Sequence, residues 1–304
     1  MDNLSIAWWN TSISPSRSRD RMEKEEYVLA VTIIIMLINV YKLDMLCLGE
    51  ISPNNVNDLR QALGDSFYIY DCTFKSNNSR IIHDMCVIYK KDKLIFIQHK
   101  DITKQKTTLG SIRAGLELQF QHIQSGQDFF LYMLHWPSRT TKSYEEDTNK
   151  RYELGSTVRN AMNSCSIEKN GKNYIVLGDF NDEPFSKSVT EGLESTRDRK
   201  LLRRKPELLY NPFWRHVGHP IAFPNKDHDL MSCGTCYSSS ELTTNWATFD
   251  QILFSSSFLI GDTWRLKEDS VKIIRDFDLE KIIYNSNYFF DHLPVFAMIE
   301  GVRK

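Results

Sequence analysis

Four apolar segments with the character of β-strands each end in a polar side chain that can bind a metal or transfer a proton. These side chains are Asn10, Glu50, His135 and Asp179, which follow SIAWW, DMLCLG, FFLYML and YIVLG. In α/β sheets, ligand sites lie outside the carboxyl ends of parallel strands. We therefore expect these four residues to converge at one sheet edge, although they are far apart in the sequence.

Four further polar residues extend this set. Asn181 lies two positions after Asp179, so in an extended segment both side chains project to the same side. Asp250 stands at the entrance to the strand in TFDQILFS, and Asp291 and His292 stand directly before the last apolar strand.

Each residue alone also has a plain structural interpretation. Asn10 could be a turn residue, and Glu50 could be a solvent-facing carboxylate at a helix start. Asp179 and Asn181 could form an Asx-type turn before Pro184. The eight positions together favour a functional site.

The order of patterns predicts a mixed α/β protein. About ten apolar runs have the character of strands, and helical patterns occupy residues 23–43, 54–63, 147–165 and 186–193. Strand and helix alternate early, and the middle is hairpin-like, which predicts mixed sheets with helices on their outer faces. Residues 195–245 look irregular. We take the 304 residues, 1–304, as a single domain.

Charge and hydropathy narrow the possible locations and partners. The net charge of −1 gives no global attraction to nucleic acid or anionic membranes.

The longest apolar run, residues 27–41, falls short of the roughly 20 residues that a membrane span needs, so we expect a buried helix. The N-terminal residues lack the pattern of a secretory signal, and a cytoplasmic location follows by default. The oligomeric state stays open.

The six cysteines do not form a disulfide-dense pattern and are interpreted as reduced thiols. Cys233 and Cys236 form the only CxxC motif in the sequence. With no second CxxC and no HxxxH nearby, a zinc site is the less favoured interpretation.

Six segments carry a family resemblance. LSIAWWN, LCLGE, LHWPSR, YIVLGDFNDEP, TFDQILFS and FFDHLPV occur in the order and spacing of the motifs of the endonuclease/exonuclease/phosphatase superfamily of metal-dependent phosphoesterases, and GDFNDEP is the most specific. The resemblance covers essentially the whole chain. It implies a four-layer αββα sandwich, in which two mixed β-sheets pack face to face with helices outside and the site lies at one edge.

The resemblance also implies a metal. Glu50 would be the principal Mg²⁺ ligand, with Asn10 and Asp291 helping to order the metal and its waters. Such hard oxygen ligands suit Mg²⁺, with Mn²⁺ as a substitute.

The catalytic roles follow from the same resemblance. Asp179 would orient or deprotonate the attacking water, and Asn181 would donate to a phosphoryl oxygen. His292 would contact the phosphate while held by Asp250, and His135 would bind phosphate or assist the leaving oxygen. The carboxylate partner of His135 expected in some relatives is not identified in the sequence.

The favoured function is a Mg²⁺-dependent phosphodiesterase acting by in-line water attack, with nucleic acid as the substrate. One alternative is a phosphatase or phospholipase-C-like phosphodiesterase acting on a small or lipid head-group substrate. Another is a catalytically silent binding module. No GxxxxGK, GxGxxG or GxSxG motif points to a different cofactor or chemistry.

A basic segment, RDRKLLRRK at residues 197–205, lies in the irregular region. We predict that its last three residues, Arg203, Arg204 and Lys205, border the site and bind a polyanionic backbone. The alternative is an ordinary solvated surface.

Overall fold

The computed structural model describes residues 2–14, 24–76, 81–106, 110–139, 144–169, 171–219, 231–240, 244–261, 263–285 and 287–302. Its helices are α1 (Lys24–Val40), α2 (Pro53–Leu63), α3 (Tyr144–Lys169), α4 (Arg199–Arg204), α5 (Ser257–Ile260) and α6 (Leu279–Tyr284), with a π-helical turn at Ser188–Gly192 and a 3-10 turn at Pro212–His216. Its strands are β1 (Asn3–Asn10), β2 (Met45–Gly49), β3 (Phe67–Asp71), β4 (Met85–Lys90), β5 (Leu94–Asp101), β6 (Lys104–Lys106), β7 (Gly110–Ile112), β8 (Leu116–His122), β9 (Asp128–His135), β10 (Tyr174–Asp179), β11 (Ser195–Thr196), β12 (Leu209–Tyr210), β13 (Cys236–Tyr237), β14 (Trp246–Ala247), β15 (Asp250–Ser255), β16 (Trp264–Ile273) and β17 (Val295–Gly301).

Two large mixed sheets form the body of the protein. The first has six strands in the order β16-β17-β1-β2-β4-β3, and the second has seven in the order β11-β12-β15-β10-β9-β8-β5. The central pairs are parallel, β1 with β2 and β9 with β10, and their other neighbours run antiparallel to them. The predicted mixed-sheet α/β fold is confirmed.

Alternating burial along β9 shows how the layers stack. Leu131 and Met133 belong to the core between the sheets, whereas Phe130 and Tyr132 belong to a second cluster that includes residues of α3. Both faces of this strand are therefore covered, as expected when sheets are enclosed by helices. Ala30, Ile34 and other apolar residues bury one side of α1 in the core of the first sheet.

The helix predicted at residues 23–43 is observed as α1 and is buried along one side, as expected. Within the described residues, the structure contains no helix of sufficient length and apolar character to cross a membrane. The region predicted to be irregular holds short elements instead, namely α4, β11 to β13 and a 3-10 turn.

The start of α2 fixes the chain directly after Glu50. Ser52 caps the helix by accepting a hydrogen bond from the backbone N–H of Asn55, and the Asn55 side chain accepts from the backbone N–H of Ser52. Pro53 occupies the first turn, where its missing N–H has no cost. Ser14 also donates to the Asn55 side chain, at 2.8 Å, so the loops after β1 and β2 are joined.

Candidate active site

The predicted strand-end residues meet at one end of the two sheets. Asn10 pairs in register with Gly49, the neighbour of Glu50, and Asp179 pairs with both His135 and Asp250. The Asn10 amide in the first sheet donates to the Asp179 carboxylate in the second, at 3.2 Å. The two sheets therefore share one polar cluster at this edge.

The backbone at this edge adopts conformations that few residues tolerate. Glu50 and Asn181 have left-handed φ values of 56° and 48°; this region costs a residue such as Glu roughly 1–2 kcal/mol, whereas Asn adopts it more readily. Gly178, directly before Asp179, has a φ of 147°, and a Cβ there would lie 1.8 Å from the Leu134 carbonyl oxygen. Only glycine fits at this position, which explains the glycine of the GDFN sequence.

Asp179 lies at the centre of the cluster and is almost fully buried. It accepts hydrogen bonds from the backbone N–H and the side-chain amide of Asn181, at 2.8 and 3.1 Å. Burial raises its pKa, and the nearby His292 opposes that rise. The second amide hydrogen of Asn181 goes to the Trp136 carbonyl. Asn181 is thus placed to orient Asp179, and in this arrangement its amide has no hydrogen left for the predicted phosphoryl contact.

His292 and Asp250, which the family resemblance pairs, are in contact. The His292 Nδ1 atom lies 2.7 Å from one carboxylate oxygen of Asp250, and the Trp8 indole N–H donates to the other at 2.7 Å. Burial alone would lower the pKa of His292, but the Asp250 carboxylate raises it well above its ordinary value. The His292 Nε2 atom lies 3.8 Å from the Asp179 carboxylate. The raised pKa of His292 favours the imidazolium form, whose Nε2 side faces Asp179 and Cys236.

His135 has a carboxylate partner that sequence reasoning missed. Its Nδ1 lies 3.0 Å from Oδ1 of Asp84, and its Nε2 lies 4.0 Å from the Asp179 carboxylate. Burial opposes ionisation of both groups, but their mutual attraction raises the pKa of His135 and lowers that of Asp84. Asp84 directly precedes β4, and its carbonyl accepts from the Ile51 N–H beside Glu50. The sequence signal that could have identified Asp84 is an acidic residue at the start of a strand. The same signal pointed to Asp250.

The open side of the cluster presents oxygen ligands. The Glu50 carboxylate lies 3.4 Å from the Asn10 amide nitrogen and 3.9 Å from Nε2 of His135. Burial raises the pKa of Glu50, and the charge of Asp291 raises it further. Asp291, whose side chain is 52% exposed, accepts from Ser12 at 2.8 Å. Two neighbouring carboxylates, beside amide and hydroxyl groups, fit a hard divalent cation such as Mg²⁺.

A comparison of the sequence with protein-family models shows which family the chain belongs to. The model of the Endonuclease/Exonuclease/phosphatase family matches residues 29–281, which is most of the chain. The chain belongs to this family. Members of the endonuclease/exonuclease/phosphatase family are hydrolases that act on phosphoesters and typically depend on a divalent metal.

Solved structures of the family share the fold at low identity. The human Nocturnin catalytic domain with bound sulfate is 15% identical, with a TM-score of 0.61 over 99% of this chain and 95% of that one. A Bacteroides thetaiotaomicron mannosyl-6-phosphatase is 14% identical, with a TM-score of 0.60 over 99% and 100%. TDP2 from D. rerio, complexed with a single-strand DNA product, is 16% identical, with a TM-score of 0.59 over 99% and 100%. No curated protein matches the chain.

The basic segment lies away from this family's site in the structure. Arg203 and Arg204 end α4, and Lys205 follows them. The chain then returns through β12, which pairs with β15 at Ser255. Asp250 is five residues away at the other end of β15, a distance of about 17 Å along a strand. The structure therefore does not bring the three basic residues to the cluster, because the pairing of β12 carries them to the opposite end of the sheet.

The Cys236 thiol adjoins this polar cluster. The Cys236 Sγ atom lies within 4.8 Å of ligand atoms of both Asp291 and His292. Burial raises the pKa of this thiol to about 12, despite the opposing effect of His292. The CxxC motif was visible in the sequence, but its proximity to His292 depends on tertiary contacts.

Proposed function

We propose that the protein is a Mg²⁺-dependent phosphodiesterase that hydrolyses nucleic acid by direct water attack. The observation that carries the proposal is the position of the Asp179 carboxylate between the Nε2 atoms of two imidazoles, at 3.8 Å from His292 and 4.0 Å from His135. Each imidazole is held from behind by a buried carboxylate. A base and two cationic donors thus face the same space.

Asp179 accepts the proton of the attacking water. Its raised pKa brings it closer to the range in which a carboxylate acts as a general base near neutral pH. The hydrogen bonds from Asn10 and Asn181 fix its orientation. No covalent enzyme intermediate is needed.

The two imidazolium groups stabilise the charge that develops on the phosphoryl oxygens and on the leaving oxygen. The pKa of each is raised by its own carboxylate, Asp250 for His292 and Asp84 for His135, so both carry a proton to donate. Glu50, with Asn10 and Asp291, would hold Mg²⁺, which when bound supplies Lewis-acid stabilisation of the phosphoryl group.

An aromatic patch beside the catalytic loop supports nucleic acid as the substrate. It consists of Phe185, which is 53% exposed, Trp214, whose ring centroid lies 6.2 Å away, and Arg197, whose guanidinium lies 4.4 Å over the Trp214 ring. Exposed aromatic and guanidinium planes stack on unpaired bases. Phe185 lies four residues after Asn181 in the same loop. The single-strand DNA product bound by TDP2 also favours this substrate class.

A substrate panel tests the proposal. Single-stranded DNA, duplex DNA, RNA, phosphatidylcholine–sphingomyelin vesicles and mannose 6-phosphate are incubated with the protein, with Mg²⁺ or with a chelator. We expect Mg²⁺-dependent cleavage of a nucleic acid, reduced by about a thousandfold in Asp179→Asn as the matched control. Hydrolysis confined to mannose 6-phosphate or to lipid would overturn the proposed substrate class, and metal-independent cleavage would overturn the mechanism.

A further inference from the structure

The segment that carries Cys236 is fixed against the loop that carries His292. The Tyr237 N–H donates to the Asp291 carbonyl at 2.8 Å, and the Leu293 N–H donates to the Thr235 carbonyl at 2.7 Å. These bonds lie on either side of a backbone bridge between Cys236 and His292. The position of the thiol relative to the imidazole is therefore set by the backbone.

This arrangement brings three different metal-ligating groups close together. The Cys236 sulfur, a carboxylate oxygen of Asp291 and a ring nitrogen of His292 lie within 4.8 Å of one another. Ligands of a tetrahedral zinc ion, with bonds of about 2.0–2.3 Å, lie roughly 3.3–3.8 Å apart. Small side-chain adjustments would therefore close the set around one ion.

The second nitrogen of His292 is already oriented. Nδ1 is bound to the buried Asp250 carboxylate at 2.7 Å, which leaves Nε2 on the side of Asp291. A carboxylate behind a ligating imidazole is the usual support of a zinc-bound histidine. The Trp8 indole in turn fixes Asp250. The support that a zinc ligand needs is thus present before any metal binds.

We infer that Cys236, His292 and Asp291 form a Zn²⁺ site that overlaps the catalytic cluster and inhibits the enzyme when occupied. A thiolate and an imidazole select zinc over Mg²⁺, which prefers oxygen ligands. As zinc binds, the thiol proton of Cys236 and the Nε2 proton of the His292 imidazolium both leave to solvent, and the fourth position is open to water. Zinc on Nε2 removes the donor that would contact the phosphate. Only this inhibitory consequence rests on the proposed function; the metal site itself does not.

Cobalt provides a test of the site that needs no substrate. Co²⁺, which takes the place of zinc in such sites, gives a thiolate charge-transfer absorption when sulfur binds it. We expect this absorption in the wild type and in Cys233→Ala, but not in Cys236→Ser, which keeps the size of the side chain. Absorption retained in Cys236→Ser, or lost in Cys233→Ala, would overturn the assignment of the ligands.

Zinc titration at fixed Mg²⁺ tests the inhibition. Each variant's rate is compared with its own rate without added zinc, with Cys233→Ala as the matched control. We expect Cys236→Ser to need at least about tenfold more zinc for half-inhibition, because loss of even a supporting group weakens metal binding by about 10–100-fold. Equal zinc sensitivity in the wild type and Cys236→Ser would overturn the inhibitory role. A lack of activity in every variant without zinc would instead count against the proposed function.

Discussion

Nδ1 of His135, which ends β9 in the second sheet, lies 3.0 Å from Oδ1 of Asp84, which directly precedes β4 in the first. His292 and Asp250 repeat this arrangement, with the carboxylate now on the second sheet and the histidine beside the first. The two imidazoles of the candidate site are thus each held by a carboxylate from across the sandwich. Neither sheet alone can fix the protonation or the orientation of its own histidine.

Asp84→Asn is expected to change the pH dependence of catalysis. The carboxylate raises the pKa of His135, so the imidazolium persists to higher pH and is lost as pH rises through that value. Without this charge the pKa of His135 falls, and the alkaline limb of kcat/KM moves to lower pH. Asp101→Asn is the control, since Asp101 pairs with His83 and not with His135. Identical alkaline limbs in Asp84→Asn and the wild type would argue against a catalytic imidazolium at His135.

Asp250→Asn should reduce kcat by about a thousandfold or more while shifting the melting temperature little. The amide fits the same space, but it removes the charge that holds His292 protonated and correctly oriented. Trp8→Phe is the matched control, because it removes the other hydrogen bond to Asp250 and leaves the His292 contact in place. Steady-state kinetics and thermal melts measure both effects. A larger kinetic loss in Trp8→Phe than in Asp250→Asn would contradict this assignment.

Glu50→Gln and Asp179→Asn separate metal binding from water activation. Each is expected to lower kcat/KM by about a thousandfold, the scale seen when a key transition-state group is removed. Excess Mg²⁺ should partly restore Glu50→Gln, because a weakened metal site fills by mass action. It should not restore Asp179→Asn, which lacks the base. Rescue of both variants to the same extent would show that the two carboxylates share one role.

Phe185→Ala tests the aromatic patch. Loss of one stacked base costs about 1–3 kcal/mol, so KM for single-stranded DNA is expected to rise about tenfold. Hydrolysis of a small aryl phosphodiester should be unchanged. Tyr68→Ala is the control, because Tyr68 is also exposed but lies on β3, at the outer edge of the first sheet. Equal losses on DNA and on the small diester would assign Phe185 a structural role.

The triple variant Arg203→Ala, Arg204→Ala, Lys205→Ala tests the sequence-based prediction about the basic segment. From the position of α4 at the far end of β15, we expect no change in KM for nucleic acid. The slope of log K against log salt should also be unchanged, because no phosphate contact is lost. A slope that flattens by about 0.7–0.9 per lost contact would show that these residues do contact the nucleic-acid backbone.

Sequence patterns located most of the strand-end groups because a strand's hydrophobic run and its final residue are local features. Asn10, Glu50, His135 and Asp179 could be found in this way, and the parallel pairing of their strands brings them together. The family resemblance added the pairing of His292 with Asp250, which lies 42 positions away in the sequence.

Other features depend on strand order, which the sequence does not show. Asp84 reaches His135 only because β4 pairs with β2 in the first sheet and the two sheets pack face to face. The basic segment lies away from the site because β12 pairs with β15 at Ser255. Cys236 meets His292 through backbone bonds between two loops.

The position of β17 between β16 and β1 links the candidate site to the completion of the first sheet. The loop before β17 carries Asp291 and His292, so the positions of these groups depend on the pairing of β17 with β1. A chain that ends before this loop lacks an imidazole of the site and also leaves the edge of β1 unpaired, open to pairing with another chain. Truncation before this loop is therefore expected to abolish the proposed activity and to promote aggregation at the same time.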